Sequence, residues 1–189
     1  MLGKVQVSTE EVEEGVRSII AMVGEDQNRE GLVGTPQRVR RAFLEMCEGY
    51  NQDPGDILST RFSEHSQDMV VVKSIPFHSL CEHHLLPFHG TATVAYLPNE
   101  SVVGLSKIPR LVHCFARRLQ IQERLTSQIA NALQANLNPL GVGVVVTAHH
   151  TCMSIRGVRS SADMVTSCLL GDFREGKTRQ EFLALARAT

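Results

Sequence analysis

Residues 69–75 read Met69-Val70-Val71-Val72-Lys73-Ser74-Ile75, a largely apolar and β-branched run that is typical of a β-strand. Residues 90–97 alternate in polarity and predict a second strand. Apolar runs at residues 141–148 and 164–170 predict two more. Because helical patterns separate the two pairs of strands, the sequence favours an α+β fold. We expect a largely antiparallel sheet with helices on one face.

Helical periodicity surrounds these strands. We expect Ser8 and Glu11 to form a capping box, Thr35 to cap a helix that has Pro36 in its first turn, and Ser106 to cap a third helix. The predicted helices cover residues 8–23, 35–50, 106–118, 120–136 and the segment from 178 onward. Residues 51–66 are polar and predict a loop with one short helical turn. We therefore divide the chain into an N-terminal helical segment, 1–66, and a region that holds the sheet, 67–189.

The overall composition excludes several classes of protein. The 19 Lys and Arg residues against 20 Asp and Glu argue against a general nucleic-acid binder, although one local basic pocket for an anionic ligand remains compatible. The sequence has no apolar run of membrane-spanning length and no secretory signal at its start, so we expect a cytoplasmic protein that does not enter the membrane. Five cysteines, an odd number, argue against a disulfide framework and leave metal binding or simple burial.

One short motif carries ligands that zinc prefers. Cys81-Glu82-His83-His84 offers a cysteine and a histidine three residues apart, a spacing that lets two side chains converge in a turn. An ideal strand would place Cys81 and His84 on opposite faces, so metal binding requires the backbone to leave the sheet here. The alternative is a buried cysteine next to surface histidines, which is the better interpretation for Cys47, Cys114 and Cys168.

A third ligand is available at the end of the strand predicted at residues 141–148. There the sequence reads His149-His150-Thr151-Cys152, and a strand period of two would place His150 and Cys152 on one side. Three protein ligands leave a fourth tetrahedral position for water, as in catalytic zinc sites. Spacing alone does not decide which histidine binds the metal.

Several separated motifs together resemble the GTP cyclohydrolase I family. They are Ser79-Leu80-Cys81-Glu82-His83-His84, Gly104-Leu105-Ser106-Lys107-Ile108, Gln122-Glu123-Arg124-Leu125-Thr126, His150-Thr151-Cys152-Met153 and Arg156-Gly157-Val158. The similarity continues at residues 24–26, 29–32, 35–39 and 178–183, so it covers nearly the whole chain in order.

The resemblance implies a tunnelling-type (T-fold) subunit, with a four-stranded antiparallel sheet, helices on one face and an N-terminal helical segment. It also implies a homodecamer of two pentamers with active sites at subunit interfaces. The implied reaction converts GTP and water into 7,8-dihydroneopterin triphosphate and formate, the first step of tetrahydrofolate and pterin biosynthesis. The alternatives are a relative that opens the guanine ring but stops before pterin closure, and a non-catalytic homologue that binds zinc or nucleotide.

The resemblance also assigns residues of the chemistry. It implies Zn²⁺ held by Cys81, His84 and Cys152, with an activated water that attacks C8 of guanine. Proton transfer would fall to His83 and His150, which suits histidine because its pKa lies near neutral pH. The alternative role for His83 is to orient a ligand. Ser106 would lie near the ribose.

Substrate contacts follow in the same way. Glu123 would pair with the N1–H and 2-amino groups of guanine, a pattern that adenine lacks, and Gln122 would assist. The triphosphate would meet Lys107, Arg110 and Arg156, and two further basic residues would come from a neighbouring subunit: Arg38 and Arg41. The chain departs from the family's usual pattern at Thr91, Thr147, His149 and residues 159–164, which bears on substrate positioning, and His149 could compete for the metal.

Overall fold

The computed structural model describes residues 7–63 and 68–187. The chain divides into two compact units, Met1–Cys47 and Glu48–Thr189. The predicted boundary between residues 66 and 67 falls within 64–67, outside the described residues, so the division at that point stays a prediction.

The first unit contains helices α1 (Thr9–Met22) and α2 (Thr35–Met46). The capping box at α1 is confirmed: the Glu11 amide donates to Ser8 Oγ at 3.1 Å, and the Ser8 amide donates to a Glu11 carboxylate oxygen at 2.8 Å. These bonds satisfy two backbone donors that the first helical turn would otherwise leave free.

The start of α2 differs from the prediction. Gly34, not Thr35, occupies the cap position, and Thr35 lies inside the helix with its hydroxyl donating back to the Gly31 carbonyl at 3.4 Å. The helix also ends earlier than expected, since a separate 3₁₀ turn forms at Glu48–Asn51.

The second unit carries the remaining elements. They are α3 (Pro54–Ile57), β1 (Arg61–Phe62), β2 (Val70–Cys81), β3 (Pro87–Leu97), β4 (Val102–Val103), α4 (Lys107–Ala116), β5 (Leu119–Gln120), α5 (Gln122–Leu137), β6 (Gly141–His150), α6 (Thr151–Ser154), β7 (Asp163–Gly171) and α7 (Gly176–Arg187). Ser106 holds the cap position of α4, but its side chain makes no capping hydrogen bond.

The main sheet confirms the expected architecture. Its strand order is β5-β2-β3-β6-β7, and β2, β3, β6 and β7 are the four predicted antiparallel strands. The two-residue β5 adds a short parallel edge beside the end of β2. Each of the four long strands extends beyond at least one predicted limit, although β2 begins at Val70 and not at Met69. Strand β2 contains a bulge between Val72 and Ile75.

The core lies between this sheet and helices α4 and α5. Apolar side chains from alternate strand positions, such as Val94 and Val144, pack there against Leu111 of α4 and Ile129 of α5. All four residues are at most 1% exposed. This side of the sheet is called the helix face below.

The last helix is an exception to the expectation that the helices lie on one face of the sheet. Ala95, one position along from Val94 and therefore on the opposite face, packs with Phe173 and Phe182 of the C-terminal segment. A Cβ at Gly143 would come within 2.6 Å of the Phe173 ring, so a glycine is needed where these rings lie on the sheet. None of the helices in residues 7–63 and 68–187 has the length and apolar character of a membrane crossing.

Candidate metal centre

The first half of the candidate site is the turn that ends β2. The Cys81 amide donates to the Leu86 carbonyl at 2.8 Å, and the Cys81 carbonyl accepts from the amides of His84 at 3.3 Å and Leu85 at 2.8 Å. Leu85 takes a positive φ of 55°, which reverses the chain before β3. The backbone therefore leaves the sheet between Cys81 and His84, as the sequence required.

The second half is the junction between β6 and α6. The strand ends at His150, and Cys152 lies in the helical turn that follows. Strand alternation was therefore the wrong reason to place His150 and Cys152 on one side, because the chain leaves the sheet before Cys152.

These two segments bring three ligand types together. Single ligand atoms of Cys81, His84 and Cys152 all lie within 4.8 Å of one another, and Cys81 Sγ is 3.9 Å from His84 Nδ1. Cys81 is buried, whereas His84 is exposed. Burial and the neighbouring Cys81 thiol raise the pKa of Cys152. Two sulfurs and one imidazole nitrogen suit zinc and leave its fourth tetrahedral position open.

A family model described as GTP cyclohydrolase I matches residues 12–187, which include both halves of this site. The chain belongs to the GTP cyclohydrolase I family. This confirms the resemblance seen in the sequence, and with it the T-fold class.

Curated relatives support the same assignment. The chain is 52% identical over 180 residues to GTP cyclohydrolase 1 of Bacteroides fragilis (strain YCH46), which covers 94% of this chain and 93% of that protein. It is 53% identical over 175 residues to GTP cyclohydrolase 1 of Leptospira biflexa serovar Patoc, covering 91% and 96%. It is 53% identical over 176 residues to the enzyme of the same name from Campylobacter jejuni (strain RM1221), covering 92% and 93%.

His150 occupies a half-buried, well-defined position on the helix face. Its ring stacks on the buried Phe88 ring, with centroids 4.5 Å apart and planes 9° apart. Its Nε2 lies 2.8 Å from Oε1 of Gln122. Burial lowers the pKa of His150, while the charge of Glu123 acts in the opposite direction.

His83 has a different environment. Its side chain is 65% exposed, and its Nε2 is 3.9 Å from a carboxylate oxygen of Glu82. Glu82 itself pairs with Arg124 of α5: Arg124 Nη2 donates to Oε1 at 2.9 Å, and Nη1 donates to the other oxygen. This bidentate pair joins the ligand-bearing turn to the helix that carries Glu123, and it lowers the pKa of Glu82 through the hydrogen bond from Arg124.

The residues predicted to contact substrate are divided among several places. Arg156 lies beside the cluster, where its Nη1 is 3.1 Å from His84 Nε2. Glu123 is exposed in the first turn of α5. Among the described residues, Lys107 and Arg110 make no hydrogen bond or ion pair with Cys81, His84 or Cys152, and Arg110 instead lines a cleft with His113 and Arg117.

The two remaining predicted cations belong to the first unit. Arg38 Nη2 donates to the Gly31 carbonyl and to Thr35 Oγ1, both at 2.9 Å. Arg41 Nε donates to the Gln37 carbonyl at 3.4 Å. Both contacts are local to α2 and the segment before it.

Three of the departures from the family pattern, Thr91, Thr147 and His149, lie on the sheet face opposite the helix face, whereas residues 159–164 form the segment before β7 and its first two residues. Thr91 pairs with Thr147, and His149 pairs with His89 and Asp163, one register position away from the His150–Phe88 pair. Alternation along a strand therefore directs these side chains away from the side of His150. His149 Nε2 is 3.0 Å from Ser154 Oγ, and His149 is not part of the Cys81–His84–Cys152 cluster.

Sequence reasoning missed two supports of this site. Phe88 lies before the strand predicted at residues 90–97 and was given no role, and the Glu82–Arg124 pair joins residues 42 positions apart. Both residues of the pair stand in recognised motifs, but spacing along the chain gives no signal that one motif contacts the other.

Proposed function

We propose that the protein is a zinc-dependent GTP cyclohydrolase I, which opens the imidazole ring of GTP at C8 and yields 7,8-dihydroneopterin triphosphate and formate. The observation that carries the proposal is the convergence of Cys81, His84 and Cys152 within 4.8 Å in a member of this family. About 52% identity to a GTP cyclohydrolase 1 over most of the chain supports it.

The metal would be held by the two thiolates and the imidazole of that cluster. Zinc is favoured over harder cations because two of the three ligands are sulfur. A bound zinc ion would lower the pKa of a coordinated water and so supply hydroxide near neutral pH. Arg124 and Glu82 would keep the turn in the conformation that presents Cys81 and His84.

Proton transfer is assigned first to His150. Burial lowers its pKa, which favours the neutral imidazole that can accept a proton, and its ring can return that proton to a ring nitrogen of guanine. His83, beside the metal ligand and largely exposed, is the second candidate, and Ser106 would act near the ribose.

Substrate recognition would use charges from more than one subunit. Glu123 would accept hydrogen bonds from guanine, and Gln122 was expected to help it. The triphosphate would bind Arg156 beside the metal ligands, together with Lys107 and Arg110, which make no hydrogen bond or ion pair with the cluster among the described residues. Arg38 and Arg41 would complete the site from a neighbour. A site built from two subunits requires an oligomer, which the family also implies. We propose a decamer of two pentamers, and we propose that it is located in the cytoplasm.

The division into residues 1–66 and 67–189 is part of the same proposal. The first segment would provide the basic helix for a neighbouring site, and the second would provide the catalytic T-fold.

The test is incubation of the purified, zinc-loaded protein with GTP while formate release and pterin fluorescence are followed together. We expect both signals to rise at matching rates. Formate without fluorescence would replace this proposal with ring opening that stops before pterin closure. Neither signal, with zinc and GTP bound, would indicate a non-catalytic homologue.

A further inference from the structure

Gln122 is the first residue of α5 and is 1% exposed, although it has a polar side chain. Its amide nitrogen lies 3.0 Å from the Val146 carbonyl, 2.9 Å from the Met164 carbonyl and 3.1 Å from Thr166 Oγ1. Its amide oxygen lies 2.8 Å from Nε2 of His150. One buried side chain thus connects α5, β6 and β7 with the proposed proton-transfer residue.

The orientation of this amide follows from its neighbours. Backbone carbonyls only accept hydrogen bonds, so the group that faces Val146 and Met164 must be the NH₂ end of the side chain. A flipped amide would place its oxygen 3.0 Å and 2.9 Å from two carbonyl oxygens with no proton between them, which is costly. The oxygen of Gln122 therefore faces His150.

Two threonines fix the rest of the network in the same direction. Thr126 Oγ1 donates to the Gln122 carbonyl at 2.7 Å, which uses its only proton. Thr166 Oγ1, 2.7 Å from Thr126 Oγ1, must then be the donor in that contact, and one of its two lone pairs accepts from the Gln122 amide. Every direction in the chain of bonds is consistent with the NH₂ orientation.

A glutamine oxygen cannot donate, so the 2.8 Å contact requires a proton on His150 Nε2. In the neutral ring the other nitrogen, Nδ1, is then the free acceptor. The Phe88 ring, parallel to the imidazole at 4.5 Å, holds the ring plane, and the bond to Gln122 holds its rotation within that plane. Nδ1 has no hydrogen bond to the described residues.

We propose that Gln122 is a positioning residue that holds His150 in the Nε2-protonated tautomer, so that Nδ1 is the nitrogen that exchanges protons during the reaction. The inference rests on the proposed function for the reaction itself, but the tautomer is a property of the protein alone. It also gives Gln122 a role other than the guanine contact expected from the family resemblance, because both ends of its amide are already engaged inside the protein.

The first experiment measures the tautomer in the wild-type, zinc-loaded enzyme labelled with ¹⁵N-histidine, by magic-angle-spinning NMR at a pH where His150 is neutral. The His150 signals are those that disappear in the His150→Gln variant. We expect a protonated Nε2 and a bare Nδ1. A protonated Nδ1 with a bare Nε2 would overturn the proposal. This result does not depend on turnover, so it separates failure of the tautomer assignment from failure of the proposed function.

The second experiment compares Gln122→Met with Gln128→Met. Gln128 lies on the same helix and accepts from Gln120 at 2.7 Å, so its replacement also removes a shielded amide hydrogen bond but leaves His150 untouched. We expect Gln122→Met to show both tautomers and to lower kcat about 10- to 100-fold, with KM for GTP within about threefold, since a positioned proton donor contributes about 10²–10⁴ in rate. The control should keep one tautomer and near-normal kcat. A raised KM with unchanged kcat and tautomer in Gln122→Met would instead establish a substrate contact and overturn the proposal. The wild-type measurement decides the tautomer even if Gln122→Met fails to fold.

Discussion

The two halves of the candidate metal centre are held in place by different forces. The turn with Cys81 and His84 is tied to α5 by the Glu82–Arg124 pair, whose side chains are 29% and 42% exposed. The junction with His150 and Cys152 is tied to the same helix by the amide of Gln122, which is 1% exposed. One half therefore depends on an ion pair in contact with solvent, and the other on neutral hydrogen bonds inside the core.

This difference indicates which half tolerates change. Solvent competes with an exposed ion pair and salt screens it, so its loss costs little. A buried amide that loses its partners leaves polar groups without hydrogen bonds, which is far more costly. The histidine on the exposed turn, His83, should accordingly be less strictly oriented than His150.

The largest expected effect comes from removing a ligand on either half. Cys81→Ala and Cys152→Ala should each lose tightly bound zinc, because a three-ligand site with an open position cannot spare a ligand. Activity should fall by more than about a hundredfold, since even residues that only orient a metal ligand contribute about 10- to 100-fold. Metal content after dialysis and GTP turnover measure the two effects.

Cys47→Ala is the matched control, because Cys47 belongs to the first unit and is not in the cluster. It should retain one zinc per chain and normal turnover. Full zinc content in Cys152→Ala would show that Cys152 does not bind the metal. The junction between β6 and α6 would then not be part of the metal centre.

The next effect separates the two histidines. His150→Gln should lower kcat about 10²–10⁴-fold, the range of general acid–base catalysis, because its ring is held by Phe88 and Gln122. His83→Gln should lower it less, because a side chain that is 65% exposed is poorly fixed. Both variants should bind zinc as the wild type does. A larger loss at His83 than at His150 would reverse the assignment of the main proton-transfer residue.

The smallest effect should come from the ion pair. Arg124→Met should lower the melting temperature slightly at neutral pH, and this difference from the wild type should shrink in high salt, which screens the pair. The pair lowers the pKa of Glu82 from its usual 4.5, so its stabilisation is fully present above pH 4.5 and is lost as the pH falls through the lowered value. Melting temperatures of the wild type and the variant should therefore converge in acid. A gap that widens as the pH falls would contradict this sign.

The sequence was most informative where the determining forces are local. Alternation located the strand at residues 90–97, and apolar runs located the other three long strands. The Ser8–Glu11 capping box was found because its partners are three residues apart. The ligand turn was also anticipated, since a strand cannot present Cys81 and His84 on one side. Cys152 was assigned to the right cluster for the wrong reason, since the prediction continued the strand as far as Cys152. No local sequence signal shows that β6 ends at His150.

Contacts between distant segments could not be read in this way. Gln122 and His150 are 28 positions apart, and on a helical pattern Gln122 is an unremarkable polar residue at a helix start. The family resemblance implied that Gln122 contacts the substrate. A sequence motif identifies a residue type at a position, but it does not show which atoms surround that side chain. Only the position of α5 against β6 and β7 reveals that both ends of its amide are already bonded.

The network around Gln122 also limits what can replace it. The side chain at this position must donate protons to the Val146 and Met164 carbonyls and offer a lone pair to His150 Nε2. Both groups must lie at the end of a side chain with two methylene groups. Asparagine has both ends but is shorter, glutamate cannot give the protons when ionised, and lysine and arginine have no lone pair to offer. In a library that randomises residue 122 and selects for turnover, glutamine should dominate the survivors, whereas the exposed pair at 82 and 124 should return a broad range of residues.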